Sequence, residues 1–398
     1  MSQTENKPPL SFSRKRESDP PFREDDGLFI QINGRRIGAG HPAYIVAEMS
    51  CNHGGSFEKA VKLVQEAKRS GADAIKLQTY TPDTLTLDSP QEQFKINKGT
   101  AWDGQTLYQL YGKAYTPWDW QPKLKVVADE AGIDLFSSPF DDTAVEFLER
   151  LGVPAYKVAS FEIVDIPLIQ RIAKTGKPMI LSTGLATFAE ISEAVAAART
   201  TVATQIALLK CTSKYPADPS DMNLAAMAHL ADALHLPVGL SDHTVGIEVA
   251  QAAAALGACI IEKHLTLSRA DGGPDAGFSL EPDEFRAMVR GIRTVQQAIG
   301  SPMPAISPEE AKNRCFRRSL FVVEDVQADQ TLTAQNVRSI RPGYGLAPKH
   351  LPFVLGKRAA RDIEKGTPLS WDLIAGDSHV IPAKAGILEG GRSSLSRG

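Results

Sequence analysis

Residues 237–265 read PVGLSDHTVGIEVAQAAAALGACIIEKHL, and the way that stretch divides decides the fold. An apolar run at 237–241 leads into Asp242-His243, an Ala-rich helical segment spans 247–256, and a second run at 259–265 carries Glu262-Lys263-His264. Both runs are nearly continuous apolar stretches rather than strict alternations, which marks strands of a parallel sheet buried on both faces. The same unit repeats upstream. Strand-like runs fall at 43–51, 73–79, 133–138, 155–160, 178–183 and 205–212, and further helical segments at 57–70, 120–131, 143–151, 167–175, 188–199, 223–234 and 282–299. Eight runs and eight helical segments in roughly 250 residues predict an α/β fold of the (β/α)8 TIM-barrel kind. A doubly wound open sheet is the alternative, and it ranks second because no GxGxxG turn follows the first strand.

Outward from the barrel, the chain changes character at both ends. Residues 1–26 carry Arg14-Lys15-Arg16, Pro20-Pro21 and Asp25-Asp26 with few apolar residues, and are expected to form a disordered N-terminal tail before a catalytic domain at 27–299. Proline at 302, 304 and 308 stiffens a linker at 300–315, since Pro fixes φ and discourages helix around it. A small module at 316–379 follows, with short β-like pieces and turns at Ala328-Asp329, Arg341-Pro342-Gly343 and Lys365-Gly366. Residues 380–398, ending near Gly390-Gly391, are expected to be a second disordered tail. The longest interruption within the barrel, 80–119, holds Trp102 and Trp118, with Trp120 just beyond it; an excursion there shapes a pocket or packs down through its tryptophans.

Composition excludes several classes. The 398 residues carry 44 Lys and Arg against 47 Asp and Glu, for a net charge of −3, so no basic excess points to nucleic acid. With 42% hydrophobic and 23% charged residues the chain can build a sizeable core, and no run approaches the ~20 apolar residues of a membrane span. The four cysteines, Cys51, Cys211, Cys259 and Cys315, lie far apart without CxxC spacing, and the first thirty residues lack an apolar signal segment. Reduced thiols in a cytoplasmic protein are the expectation.

In a parallel barrel the carboxyl ends of the strands converge on one mouth, where catalysis takes place. The runs lead to Glu48 and Asn52-His53; Lys76 and Gln78; Ser137-Ser138; Lys157, Ser160 and Glu162; Ser182-Thr183; Lys210, Thr212-Ser213 and Tyr215; Ser241, Asp242 and His243; and Glu262, Lys263 and His264. Any one of these serves equally well as a cap or a satisfied core group, but polar ends on all eight runs are not a capping pattern. Alternation puts Lys76 with Gln78 and Glu262 with His264, leaving Lys263 on the opposite face in a structural role. His243 and His264 end neighbouring strands about 4.8 Å apart. The two imidazoles are either buried, hydrogen-bonded side chains or ligands within reach of one cation. With so few protein ligands, water and substrate oxygens would complete the shell, which suits an open octahedral ion such as Mn2+ better than a closed structural Zn2+. Lysines, hydroxyls and helix N-termini at the same mouth suit a small polyanion, and phosphate beside a metal suggests a phosphoryl-bearing substrate and a polarised carbonyl.

Ordered blocks carry a family resemblance: Glu48-Met49-Ser50-Cys51-Asn52-His53-Gly54-Gly55, Lys76-Leu77-Gln78, Ser137-Ser138-Pro139-Phe140, Tyr156-Lys157-Val158-Ala159-Ser160, Leu181-Ser182-Thr183-Gly184, Cys211-Thr212-Ser213-Lys214-Tyr215-Pro216, Gly239-Leu240-Ser241-Asp242-His243-Thr244 and Glu262-Lys263-His264. Together, over about residues 29–375, they resemble the sialic acid synthase family, and the tail module with Arg341-Pro342-Gly343 is similar to the antifreeze-like (SAF) domain. The stretches 102–108 and 114–118 are similar to the pseudaminic acid branch of that family rather than the N-acetylneuraminate branch. One departure is Gly54, where the family usually has Asn-His-Asn or a near variant; Asn52 and His53 stay as further site residues.

The resemblance implies condensation of phosphoenolpyruvate with an open-chain N-acetylated aminosugar, releasing phosphate and giving a nine-carbon 2-keto acid. For the pseudaminic branch the sugar is 2,4-diacetamido-2,4,6-trideoxy-L-altrose; N-acetylneuraminate or legionaminate synthesis from a related sugar is the alternative. Carried over by position, His243 and His264 bind the metal, Mn2+ first, with Mg2+ or Co2+ as alternatives. Lys76, Ser138, Lys157, Ser160, Ser182 and Ser241 hold phosphoenolpyruvate. Glu48, Gln78, Glu162, Tyr215 and Asp275 surround the sugar and the proton transfers, with Glu48 or Glu162 the carboxylate that stabilises the cationic C2. Ser213, a hydroxyl at the end of the sixth run, joins the substrate-binding set. Arg341 reaches the pocket of a partner subunit in a domain-swapped homodimer. Two rivals predict different behaviour. A Schiff-base aldolase using Lys157 or Lys76 would be trapped by borohydride and indifferent to chelators. A non-enzymatic sugar- or ice-binding protein would leave eight polar strand ends without a use.

Overall fold

The computed structural model describes residues 28–97, 99, 103–199, 205–300 and 303–376. The expected tails at 1–26 and 380–398 and Trp102 lie outside the described residues. The chain divides into two compact units, with the break after Gly300.

The first unit opens with a hairpin, β1 (Phe29–Ile32) and β2 (Arg35–Gly38), paired antiparallel. Asn33 and Gly34 turn it with φ of 45° and 81°, both left-handed, as a two-residue type I′ turn requires. The alternating pattern buries Ile30, Ile32 and Ile37. Asn33 Nδ2 donates to Asp134 Oδ1 at 2.6 Å and Arg35 pairs with Asp73, both acceptors at the amino ends of barrel strands. The hairpin therefore closes the face opposite the candidate site.

Eight strands then form a closed parallel barrel: β3 (Tyr44–Glu48), β4 (Ala74–Thr79), β5 (Asp134–Pro139), β6 (Tyr156–Val158), β7 (Met179–Ser182), β8 (Ile206–Cys211), β9 (Val238–Asp242) and β10 (Ile260–His264), with β10 pairing back onto β3. Each begins one residue after the start of the run that predicts it; β3 ends three residues and β6 two residues before the end of its run, the others within one. All but β4, β5 and β8 are buried at every residue, and each of those three has a single half-buried position; this two-sided burial makes parallel strands read as unbroken apolar runs. Helices cover the outside. The helix Phe57–Arg69 shows why: Ser56 caps it by accepting from the Lys59 N–H, and Ala60, Leu63, Val64 and Ala67 recur at helical spacing to fill one buried stripe. Gly132 and Gly152, at φ of 67° and 74°, stop the helices that precede β5 and β6.

The excursion after β4 holds two short helices, Pro82–Leu85 and Leu107–Ala114, each started by a threonine capping box. Trp118 Nε1 donates to the Tyr80 carbonyl at 3.0 Å and its ring lies 4.9 Å from Phe147, while Trp120 meets His53 and Phe57 edge-on. Both described tryptophans thus pack the segment down.

The second unit pairs β11 (Ser319–Val322) antiparallel with β12 (Val337–Ile340) around its own core, in which Leu320, Val322, Leu332, Val337, Val354 and Leu369 are buried. Its turns fall at Asp329 and Gly366, both left-handed. Among the described residues no helix is long and apolar enough to cross a membrane, and all four cysteines are free.

Candidate active site

The strand register stacks the predicted polar ends at one level of the barrel. His264 pairs with Glu48, Glu48 with Lys76, Gln78 with Ser138, Glu262 with Ser241, and Ser241 with Cys211. Lys263 points outward, as alternation predicts, and forms a fully buried ion pair with Asp242 at 2.8 Å.

One half of the mouth is acidic and hydrogen-bonded. Lys76 Nζ lies 2.6 Å from Glu48 Oε2 and 3.5 Å from Glu262 Oε1. Gln78 Nε2 donates to Glu48 Oε1 at 2.9 Å and to Ser50 Oγ at 3.1 Å, and Ser50 Oγ donates to Asp275 Oδ2 at 2.5 Å. Asp275 Oδ2 in turn lies 3.6 Å from His264 Nδ1. The imidazoles of His243 and His264 are 5.4 Å apart between centroids; Tyr215 covers His243 at 4.4 Å, and Phe278 meets the His264 ring at 5.0 Å.

The other half is a hydroxyl-lined cradle. Lys157 Nζ donates to Ser182 Oγ at 2.6 Å and to the Val158 carbonyl at 2.9 Å. Gly184 makes room beside it: a Cβ there would come within 2.3 Å of Ser213 Oγ and 2.7 Å of Ser160 Oγ. Buried polar atoms are nearly always hydrogen-bonded, yet Ser138 Oγ, Ser213 Oγ, Glu162 Oε2, Glu262 Oε2 and His264 Nδ1 have no hydrogen-bond partner. All five belong to residues at or just beyond the carboxyl ends of strands, so the mouth presents unsatisfied donors and acceptors to a ligand.

Electrostatics separates the carboxylates. Burial raises Glu48 against the pull of Lys76, and raises Glu162 to about 7 against that of Lys157. Burial acts on Glu262 in the same sense, but Lys76, Lys157 and His243 outweigh it and hold it ionised. Burial holds Lys157 below the ordinary lysine value; it would do the same to Lys76, but Glu262 and Glu48 carry that ammonium upward. Burial, aided by His243 and two lysines, keeps His264 neutral well below its usual value. Thus one carboxyl near neutrality and one fixed carboxylate share a pocket with two ammonium groups.

Two imidazoles are available to an ion. His243 Nδ1 lies 2.9 Å from the Thr212 carbonyl, which only accepts, so Nδ1 carries a hydrogen, and in the neutral imidazole Nε2 is the atom with a lone pair for an ion. His264 offers the unpartnered Nδ1. Among the described residues no group of three or more His, Cys, Asp or Glu could hold a metal ion, so a metal here would complete its shell with water and substrate.

Of the sequence-predicted residues, Glu48, Lys76, Gln78, Tyr215, Ser241, His243, His264 and Asp275 are linked through these contacts, and Lys157, Ser160, Ser182 and Ser213 through the cradle. Glu162 ends the short 3-10 turn Ser160–Glu162, and Ser138 lies on β5. Arg341 stands exposed in the second unit, just after β12. Asn52 and His53 act as braces: Asn52 Nδ2 donates to the Leu265 carbonyl at 3.0 Å and Ser279 Oγ at 2.9 Å, and His53 Nε2 is 3.2 Å from Thr116 Oγ1. Lys210 turns away to donate to the Cys211 carbonyl beside a separate cavity of about 300 Å3. Glu262 is the main addition, and its sequence signal is the face it shares with His264. Ser50 and Phe278 had no such signal, because loops bring them in. Tyr111, raised by burial and then by the charge of Glu162, shows that the excursion helix also reaches the mouth, with its ring 5.7 Å from Tyr80.

Comparison with known proteins places the chain in a family. The NeuB family matches residues 63–303 and the SAF domain residues 317–375. A pseudaminic acid synthase of Helicobacter pylori is 44% identical over 332 residues, covering 83% of this chain and 97% of that protein. An N,N'-diacetyllegionaminic acid synthase of Legionella pneumophila is 35% identical over 350 residues, covering 86% and 98%. Among solved structures, an N-acetylneuraminic acid synthetase from Leptospira borgpetersenii in complex with citrate is 32% identical with a TM-score of 0.64, over 72% of this chain and 94% of that one. With its closed barrel, its C-terminal SAF domain and this degree of likeness, the chain belongs to the NeuB family.

Proposed function

We propose that this chain is a pseudaminic acid synthase, condensing phosphoenolpyruvate with 2,4-diacetamido-2,4,6-trideoxy-L-altrose to release phosphate and the nine-carbon 2-keto acid. The observation that carries the reading is the pairing, at one mouth, of a cationic hydroxyl-lined cradle with an acidic hydrogen-bonded half. Identity favours the pseudaminic branch, at 44% against 35% for the legionaminic relative. In this reading Lys157, Ser160, Ser182, Ser213, Ser138, Ser241 and Lys76 hold phosphoenolpyruvate, its phosphate against the cradle hydroxyls and its carboxylate toward an ammonium. Glu48, Gln78, Tyr215 and Asp275 hold the aldehyde end of the sugar. C3 of phosphoenolpyruvate attacks the aldehyde carbon, and Glu162 or Glu48, as the carboxylate, stabilises positive charge developing at C2. Water adds at C2, and C–O cleavage expels phosphate.

We assign a divalent ion, Mn2+ in preference to Mg2+ or Co2+, to His243 and His264, where it would supply Lewis-acid polarisation of the aldehyde oxygen. We place Arg341 at the pocket of the other subunit in a swapped homodimer. The test is phosphate release from phosphoenolpyruvate with a panel of aminosugars, with and without EDTA, and product identity by mass. The reading expects stoichiometric phosphate, the trideoxy sugar as best acceptor and loss of turnover with EDTA. Borohydride trapping on a lysine with indifference to EDTA would replace it by a Schiff-base aldolase.

A further inference from the structure

The turn that follows β3 contains an anomaly. Ser50 has φ of 43°, in the left-handed region that favours glycine, although its neighbours Gly54 and Gly55 show that this loop uses glycine elsewhere for the same purpose. A side chain retained in such a conformation calls for a compensating interaction, and strained residues of this kind concentrate at functional sites. The Ser50 hydroxyl supplies it. It is buried at 6% exposure, donates to Asp275 Oδ2 at 2.5 Å and accepts from Gln78 Nε2 at 3.1 Å. A hydroxyl has one hydrogen to give and lone pairs to receive, so a single oxygen joins an acceptor and a donor that would otherwise face each other without a link. Cys51, next in the chain, also hydrogen-bonds Asp275.

We infer that Ser50 is a positioning residue for the sugar half of the site: its strained turn carries one hydroxyl that locks Gln78 and Asp275 into a single arrangement. Gln78 is thereby held on Glu48, and the Asp275 carboxylate is held toward His264, with Oδ2 3.6 Å from Nδ1. Without the hydroxyl, Gln78 loses an acceptor and a buried carboxylate loses a charge-assisted donor, so both side chains are free to adopt other rotamers. The cradle around Lys157 shares none of these bonds. Lys76 reaches the network only through Glu48 and is also held by Glu262, so Ser50 acts chiefly on the aminosugar and little on phosphoenolpyruvate binding.

This rests on the proposed condensation, and the experiment separates the two. Wild type, Ser50→Ala and Ser50→Gly are assayed for phosphate release with the aminosugar varied at saturating phosphoenolpyruvate and the reverse, and their melting temperatures are recorded. Ala keeps the left-handed strain and Gly removes it, but both delete the hydroxyl. The expected result is a loss of at least tenfold in kcat/KM for the aminosugar in both variants, with KM for phosphoenolpyruvate within twofold of wild type. Ser50→Gly melts no lower than Ser50→Ala. Wild-type sugar kinetics in Ser50→Gly, or losses that follow melting temperature and fall equally on both substrates, would overturn the inference while leaving the reaction intact. No phosphate release by wild type with any aminosugar would overturn the reaction and the inference with it.

Discussion

Glu162 and His264 show how burial prepares a side chain for chemistry and what that does to stability. Glu162 is lifted from an ordinary 4.5 to about 7, first by burial, with Lys157 opposing, and its Oε2 has no hydrogen-bond partner. The folded chain therefore holds a proton up to about pH 7 that the unfolded chain releases near 4.5. Stability falls as pH rises through that window, by roughly 3 kcal/mol once Glu162 is ionised. Glu162→Gln cannot ionise, so it should melt several degrees above wild type at pH 8 and converge with it below pH 5. If Glu162 is the carboxylate that faces C2, its activity should fall ~10²–10³-fold, and the acidic limb near pH 7 in the wild-type rate profile should disappear. Equal melting curves at pH 8 would show that the carboxylate is solvated in the folded chain. For His264, held neutral by burial and neighbouring cations, removal of the ring should take metal dependence and turnover together. His264→Ala should retain a residual rate that neither EDTA nor added Mn2+ changes; a rate that Mn2+ still stimulates would move the ion elsewhere.

Two glycines separate what an element does for the fold from what it does for the site. Gly239 lies in β9 where a Cβ would fall 2.3 Å from the Ile260 carbonyl oxygen and 2.8 Å from Ile260 Cβ, atoms of the neighbouring strand that cannot swing aside. Gly239→Ala should therefore force β9 from β10 and cost roughly 3 kcal/mol, read as a lowered urea midpoint. Gly184 follows β7, and its nearest obstacles are two serine hydroxyls that can rotate. Gly184→Ala should leave the urea midpoint nearly unchanged but turn Ser160 and Ser213 out of the cradle, raising KM for phosphoenolpyruvate about tenfold. Equal phosphoenolpyruvate kinetics would remove those hydroxyls from phosphate binding. The same contrast explains how far the amino-acid sequence could be read. Barrel strands are legible because two-sided burial writes them as apolar runs, and their polar ends are legible because alternation aims them into the mouth. Glu262 was within reach by its face and register. The opening hairpin is harder: its four-residue strands carry only the local Asn33-Gly34 signal, outside the β/α rhythm. Ser50, Phe278 and Tyr111 are beyond such reading, since loop closure, not periodicity, decides what they touch.

At the scale of the whole molecule, the barrel and the SAF unit each have a core of their own, so neither depends on the other for a hydrophobic interior. The barrel holds every contact described for the mouth, while Arg341 stands exposed on the SAF unit. A guanidinium is suited to a carboxylate or phosphate through paired hydrogen bonds. If it completes the pocket of a second subunit, defects in the two units should complement. His264→Ala removes the proposed metal ligand from the barrel but leaves Arg341 intact; Arg341→Ala does the reverse. In a hybrid swapped dimer, one pocket combines the two defects and the other combines the two intact halves. Random reassociation makes about half of the dimers hybrids, so two nearly inactive variants should together recover about a quarter of wild-type turnover. Arg341→Lys, which keeps the charge but not the planar fork, should be only partly active on its own. An arginine that serves its own barrel gives no recovery on mixing, and an arginine that serves neither leaves Arg341→Ala fully active before any mixing is done. Arg341 is exposed, so Arg341→Ala should keep wild-type melting behaviour, and His264→Ala, which empties a buried position, is used below its own melting temperature. Recovery would then report the exchange of side chains between pockets and not the repair of a misfolded chain.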